Sequence, residues 1–147
     1  MIESALFLFY VLITAGLLAK VEINIEGKHG YAEKLPVEWR TDNKWMRLFL
    51  TGTSYHLYMG LFLLAMLHSL LLVSGWTLRG ELLLLSFLAL VTVAEDFMWF
   101  LFNPAYGLKK FKRLEIAWFK DRWFLVPLWY WWYIPSGIIL YWLAQID

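Results

Sequence analysis

Long apolar runs alternate along this chain with short charged segments. Four runs stand out, at residues 4–19, 48–73, 82–102 and 124–144. A helix crossing the hydrocarbon of a bilayer needs roughly 20 apolar residues. The pattern therefore predicts four transmembrane helices, the first of them short. Only SGWTLRGE separates the second run from the third. So tight a turn predicts antiparallel neighbours.

The segments between the other runs are longer, and each has its own pattern. VEINIE alternates, with Val21, Ile23 and Ile25 on one side. That two-residue period predicts a strand. GKHG comes next as a turn signal, and Pro36 in KLPVEW discourages helix. Residues 21–40 are thus expected to form a small packed flap, a candidate β-hairpin. TDNKWMR reads as a helix start, with Thr41 or Asp42 as the cap. Before the last run, GLKKFKRLEIAWFKDRW mixes cations with aromatics. This is the composition of an interfacial amphipathic segment, with Lys109, Lys110, Lys112, Arg113 and Trp118 as lipid-surface residues. In the last run Trp129, Tyr133, Tyr141 and Trp142 suit the two membrane faces, while Pro135 and Gly137 predict a kink.

Composition supports lipid as the solvent: 61% of the residues are hydrophobic and 20% aromatic. Soluble domains run nearer half apolar. With 147 residues and four spans, the chain reads as a single integral-membrane domain, 1–147. The leading flank carries Glu3 and neither Lys nor Arg, so the first run is expected to be a retained span rather than a secretory signal. There is no cysteine, which excludes disulfides, thiolate nucleophiles and thiolate metal sites.

Charge adds orientation. Lys20, Lys28, Lys34, Arg40, Lys44 and Arg47 lie between runs one and two. Lys109, Lys110, Lys112, Arg113, Lys120 and Arg122 lie between runs three and four. Arg79 alone falls elsewhere. Short loops rich in Lys and Arg stay in the cytoplasm. The expected fold is thus an all-α, four-helix, N-out/C-out protein of the inner or plasma membrane. The net charge of +1 gives no reason to expect nucleic acid as a partner. The expected partners are the bilayer, its anionic headgroups at the cytoplasmic face, and a second copy or another membrane protein.

The candidate chemistry lies where run three ends, in AEDFMWFLFNP. At about 100° per residue, Thr92, Asp96, Trp99 and Asn103 form one helical stripe, with Glu95 offset to its side. Acidic groups in a membrane helix are costly, and adjacent carboxylates repel each other, so the pair calls for a partner. His56, about two turns into the second run, is the expected one. Gly52 and Gly60 share its face and would admit a close neighbour. Tyr55, Tyr58 and Asn103 could complete a polar network. Three readings are open. The first is an internal clamp in a non-catalytic, accessory or oligomeric membrane protein. The second is a small proton- or ion-coupled transporter or channel component using Glu95, Asp96 and His56. The third is a metal-dependent membrane enzyme, with His56, Glu95, Asp96 and His29 as candidate ligands to a divalent ion. No HExxH-type spacing supports the third, and no cofactor is otherwise expected. Catalytic residues are not assignable. His68, turned about 120° from His56 on the same helix, reads as an interfacial histidine with a local hydrogen bond.

Two patches, IEGKHGYAEKLPVEWR and EDFMWFLFNPAYGL, resemble those of a group of small, mostly bacterial, four-span membrane proteins with EGxxG[WY]A and EDFxWFxxNPxxGL signatures. The resemblance covers about two thirds of the chain. It implies a fold but no activity, and it brings forward Glu26, Gly30, Trp39, His56, Glu95, Asp96, Asn103 and Pro104. The chain departs from the group at Phe119, where the resemblance implies a histidine.

Overall fold

The computed structural model describes residues 2–49, 51–113, 122–124 and 126–146. Helix α1 runs Ile2–Glu26, α2 Lys44–Phe49, α3 Ser54–Ser74, α4 Leu78–Phe102, α5 Gly107–Arg113 and α6 Tyr130–Leu143. A two-stranded antiparallel ribbon, β1 (Arg122–Trp123) and β2 (Val126–Pro127), precedes α6. Among the described residues, three helices are long and apolar enough to cross a membrane: α1, α3 and α4. The fourth expected span, 124–144, is helical only from Tyr130, over 14 residues. At about 1.5 Å per residue that helix is about 21 Å long, short of a hydrocarbon core of about 30 Å.

Helix α4 is the centre of the molecule, with α1 and α6 packed along it and α3 touching it lightly. On α1 the buried positions are Val11, Ala15, Ala19, Glu22 and Glu26. Their i+3 and i+4 spacing makes one face of a helix. Two alanines in the middle of that face let α4 approach. Val11 and Ala15 pack with Val91, and Ala19 packs with Trp99, Phe100 and Phe111. On the other side of α4, Ser86 Oγ donates to the Gly137 carbonyl at 2.7 Å. A Cβ on Gly137 would lie 2.7 Å from Leu90 Cγ, so α6 fits there only without a side chain. Gly137→Val is expected to cost about 1–3 kcal/mol by overpacking. The check is the melting temperature of the purified protein in detergent; an unchanged value would mean that α4 and α6 do not depend on this contact.

The strand expected at Val21–Glu26 is corrected: these residues continue α1. Extending an existing helix adds a hydrogen bond for each residue fixed, whereas a new strand needs a partner. The alternating Val21 and Ile25 are exposed, and the face that matters is the acidic one between them. The helix ends at Gly27, whose φ of 63° is the left-handed geometry of a C-terminal cap, with its N–H on the Ile23 carbonyl at 2.8 Å. The flap beyond it, residues 27–40, is built from turns rather than a hairpin, and its one bridge joins Arg40 to Thr53. The expected cap at Thr41 or Asp42 is also corrected. Asn43 Oδ1 accepts from the N–H groups of Trp45 and Met46 at 2.9 and 3.1 Å and starts α2.

The run at 48–73 does not form one helix. The chain breaks after α2, and Thr53, extended at φ −143°, caps α3 by accepting from the His56 N–H at 3.4 Å. The loop ends of α1, α3, α4 and α6 share one end of the bundle. At the opposite end Arg79 pairs with Glu3 at 3.5 Å, and Phe7 packs against Tyr141 with ring centroids 4.6 Å apart. The first basic segment and α5, the described start of the second, therefore lie on the same side of the bundle. None of the apolar window of α3 is buried, and Leu72 and Val73 are 86% and 91% exposed. Such a surface is unfavourable in water and natural in hydrocarbon, where every backbone polar group is satisfied within the helix.

Candidate functional site

Where the loop ends meet, the bundle holds a polar cavity of about 30 Å³. Helix α1 contributes Glu22 and Glu26, one turn apart. Helix α4 contributes Glu95 and Asp96, with Trp99 and Phe100 a turn further on. The first turn of α3 contributes His56, and the flap lays Tyr31 over it. Four carboxyl groups and one imidazole thus converge at one end of a membrane bundle.

Each group is held differently. Glu26 sits at the C-terminal end of α1, 7% exposed. Its Oε2 accepts from the Tyr31 N–H at 3.1 Å, and its Oε1 accepts a short hydrogen bond from the Ala32 N–H. Tyr31 and Ala32 have φ of 59° and 53°. Two successive left-handed residues aim their N–H groups at one anion, forming a backbone nest. The conformation costs about 1–3 kcal/mol for each such non-glycine residue. Arg40 fixes the nest from the other side, donating to the carbonyls of Tyr31 at 3.2 Å, of Leu35 at 3.4 Å, and of Ala32.

His56 Nε2 lies 3.6 Å from Glu26 Oε1, an electrostatic contact beyond hydrogen-bond range. On its other edge, Nδ1 lies 2.6 Å from Thr53 Oγ1. That hydroxyl also accepts the His56 backbone N–H and keeps its proton and a second lone pair for Nδ1. Tyr31 stacks on the imidazole at 5.2 Å and 30°. Its hydroxyl is in hydrogen-bond contact with the Gly52 backbone, and burial, outweighing the pull of Arg47, raises its pKa above the ordinary tyrosine value. A Cβ on Gly52 would overlap that hydroxyl and lie 2.8 Å from Tyr31 Cζ, so Gly52 is required for the ring to reach its place.

Asp96 accepts a short hydrogen bond from the Tyr130 hydroxyl, which ties α4 to the start of α6. Glu95 is 9% exposed and lies in side-chain hydrogen-bond contact with Glu22 of α1. A hydrogen bond between two carboxyl groups requires that one of them carry a proton.

The expected network is thus partly corrected. His56, Glu95 and Asp96 do line one cavity, but the partners of His56 are Glu26 and Thr53 rather than the acidic doublet. His56 lies in the first turn of α3, not two turns in, because Thr53 caps a helix that starts at Ser54. Tyr55 is at the site's edge, its ring edge-on to His56 at 5.0 Å and its hydroxyl buried without a hydrogen-bond partner among the described residues. Tyr58 faces outward and donates to Glu38 at 2.9 Å. Thr92 bonds the Leu88 carbonyl of its own helix at 2.8 Å. Asn103 caps α4 and fastens the flap, donating to the Gly27 carbonyl at 2.8 Å. Gly60 has open space around it, so the close-approach reading holds for Gly52 alone and for a reason outside the helix.

His29 ion-pairs with Glu33 at 3.4 Å in the flap and does not line the cavity, so it leaves the candidate ligand set. Among the described residues, no three His, Asp or Glu side chains are grouped so as to hold a metal ion. His68 makes the expected local bond, to the Leu64 carbonyl at 2.8 Å, and also reaches Glu81 at 3.0 Å. Of the lipid-surface set, Lys109 and Lys110 are exposed on α5 and Lys112 and Arg113 complete that helix, while Trp118 lies outside the described residues.

Reading the sequence missed Glu22, Tyr31, Thr53 and Tyr130. A signal for Glu22 and Glu26 was present: they continue the i+3, i+4 stripe of Ala15 and Ala19. No local pattern marks Tyr31 or Tyr130, which arrive through the flap and through α6. The fold and site define a mostly helical membrane-type protein with a carboxyl-rich cavity at one end. No family model, no curated protein and no solved structure matches the chain.

Proposed function

We propose that this is a small polytopic inner-membrane protein that handles protons or small cations at the cavity of Glu22, Glu26, His56, Glu95 and Asp96. The observation that carries this reading is the side-chain hydrogen-bond contact between Glu22 and Glu95, one of which must carry a proton, in a cavity wall shared with Glu26 and Asp96. Intramembrane Asp, Glu and His in contact recur in ion and proton pathways. The positive-inside rule places the two basic segments, and with them the cavity, at the cytoplasmic face, giving N-out/C-out orientation with α6 and its preceding ribbon as the fourth pass. Lys109 and Lys110 then lie at the depth of anionic headgroups.

The test is cation flux into proteoliposomes under an imposed membrane potential, read with a pH-sensitive dye for protons. Wild-type protein is expected to conduct, and Glu95→Gln to abolish the flux. A silent wild-type protein, or an unaffected variant, overturns the reading.

A second reading is an accessory or self-assembling subunit. It is favoured by α3, whose apolar face meets almost nothing among the described residues. The two are compatible, since few helices per chain make assembly expected of a transporter. Particle mass in a lipid nanodisc decides whether copies associate.

A further inference from the structure

Resting on that reading of the cavity as the working site, we propose that α3 is a hinged arm, and that the seam between it and the α1–α4–α6 body is the gate of the cavity. The helices are held by different means. In lipid no hydrophobic force draws helices together, so close packing at small residues and polar contacts decide which stay joined. Helix α1 meets α4 through Ala15 and Ala19, and α6 meets it at Gly137. Gly60, the glycine within α3, has open space around it, and none of the apolar window of that helix is buried. Elements with so few buried contacts are the ones that open at low free energy.

Polar contacts fasten α3 at its two ends, and at the cavity end the flap divides between arm and body. Its first half belongs to the body. Asn103 donates to the Gly27 carbonyl at 2.8 Å, Tyr106 to that of Lys28 at 3.3 Å, and the nest closes on Glu26. Its second half belongs to the arm. Ser54 Oγ accepts from the N–H groups of Glu38 and Trp39 at 3.0 and 3.4 Å, and the Ser54 N–H donates to the Trp39 carbonyl at 3.2 Å. Side chains bridge the halves: Arg40 on the nest carbonyls, Tyr31 stacked on His56, and His56 against Glu26. Tyr31, His56 and Glu26 also line the cavity, so parting the seam opens its wall. The far end of α3 is the pivot. There Gly75 turns the chain at φ 85°, and Glu81 accepts from the Trp76 indole at 3.1 Å and lies 3.0 Å from His68 Nε2. With 21 residues the arm is about 31 Å long, so a tilt of about 10° carries its cavity end about 5 Å. That separates His56 from Tyr31 without unfolding a helix.

The chain has no cysteine, so spin labels attach only where a cysteine is placed. The experiment is double electron–electron resonance on the full chain in phosphatidylcholine nanodiscs. Val21→Cys on α1 with Leu61→Cys on α3 measures the seam; Val21→Cys with Ile138→Cys on α6 measures the body. All three positions are exposed. The α1–α6 pair is expected to give one narrow distance. The α1–α3 pair is expected to give a main distance and a longer minor component. Gly52→Ala, which wedges Tyr31 at the seam, should at least double the share of that component and leave the α1–α6 pair unchanged. The α1–α6 distance thus reports in the same sample that the variant is folded. A longer component absent from both proteins, a share that Gly52→Ala leaves unchanged, or equal broadening of the α1–α6 pair overturns the proposal. Proton flux through a protein whose α1–α3 distance is single and fixed would defeat the gate alone; a moving arm without flux would defeat only the transport reading.

Discussion

Glu26→Ala is expected to release the flap and to lower stability more than any other single change at the site. The carboxylate accepts from two successive N–H groups, Tyr31 and Ala32. A hydrogen bond to a charged group contributes about 1.5–3 kcal/mol. The two residues are also held at positive φ, which costs about 1–3 kcal/mol each when nothing compensates. Removing the anion leaves two converging donors and a strained backbone with only Arg40 to hold it. The expected loss is about 3–5 kcal/mol, comparable with the cost of breaking a buried charged partnership. Glu26→Gln keeps one acceptor oxygen and should lose about half as much. Thermal unfolding of the detergent-solubilised protein measures the loss. Limited trypsin digestion reports the flap separately, since Lys28 and Lys34 lie within it. Faster cleavage at these two lysines with little change at the other end of the bundle is the expected pattern. A melting temperature equal to that of the wild type would show that the nest does not hold the flap.

This dependence also explains which parts of the molecule were legible in the sequence. Apolar runs and their connections report the long helices directly, because lipid exposure leaves a compositional trace at every turn. Their loop ends were less legible. Val21–Glu26 carries two patterns at once: a two-residue alternation of apolar groups and a four-residue spacing of acids. The first suggests a strand; only the packing of Ala15 and Ala19 on α4 shows that the second governs. Likewise the run at 48–73 takes in the polar stretch TGTSYH, and within it Thr53 caps a new helix because its side chain is committed to His56. The acidic doublet was legible as a site because carboxyl groups in an apolar run are expensive. Its neighbours were not, because Tyr31, Tyr130 and Glu22 come from three other parts of the chain. What brings them together is tertiary: a left-handed nest, a helix N-terminus and a stripe on α1.

Gly52→Ala is the second large effect, and it acts by displacing Tyr31. The added Cβ would overlap the Tyr31 hydroxyl and stand 2.8 Å from Cζ. Neither partner can move freely. Tyr31 is stacked on His56 and anchored through its own N–H to Glu26. Gly52 accepts the Thr41 N–H through its carbonyl at 3.0 Å, beside the cap that starts α3. The expected cost is about 1–3 kcal/mol, with the ring expelled from the cavity mouth. His56 should then become more reactive toward an acylating reagent such as diethyl pyrocarbonate. The mechanism predicts a particular non-additivity. Tyr31→Phe alone loses the hydroxyl's contact, about 1 kcal/mol. In the double variant, however, the atom that clashed most is gone, so the two costs should sum to less than their separate values by about 0.5–3 kcal/mol. Strict additivity would mean that the alanine acts through the backbone of the α2–α3 break instead, and that Tyr31 is not the part that closes the cavity.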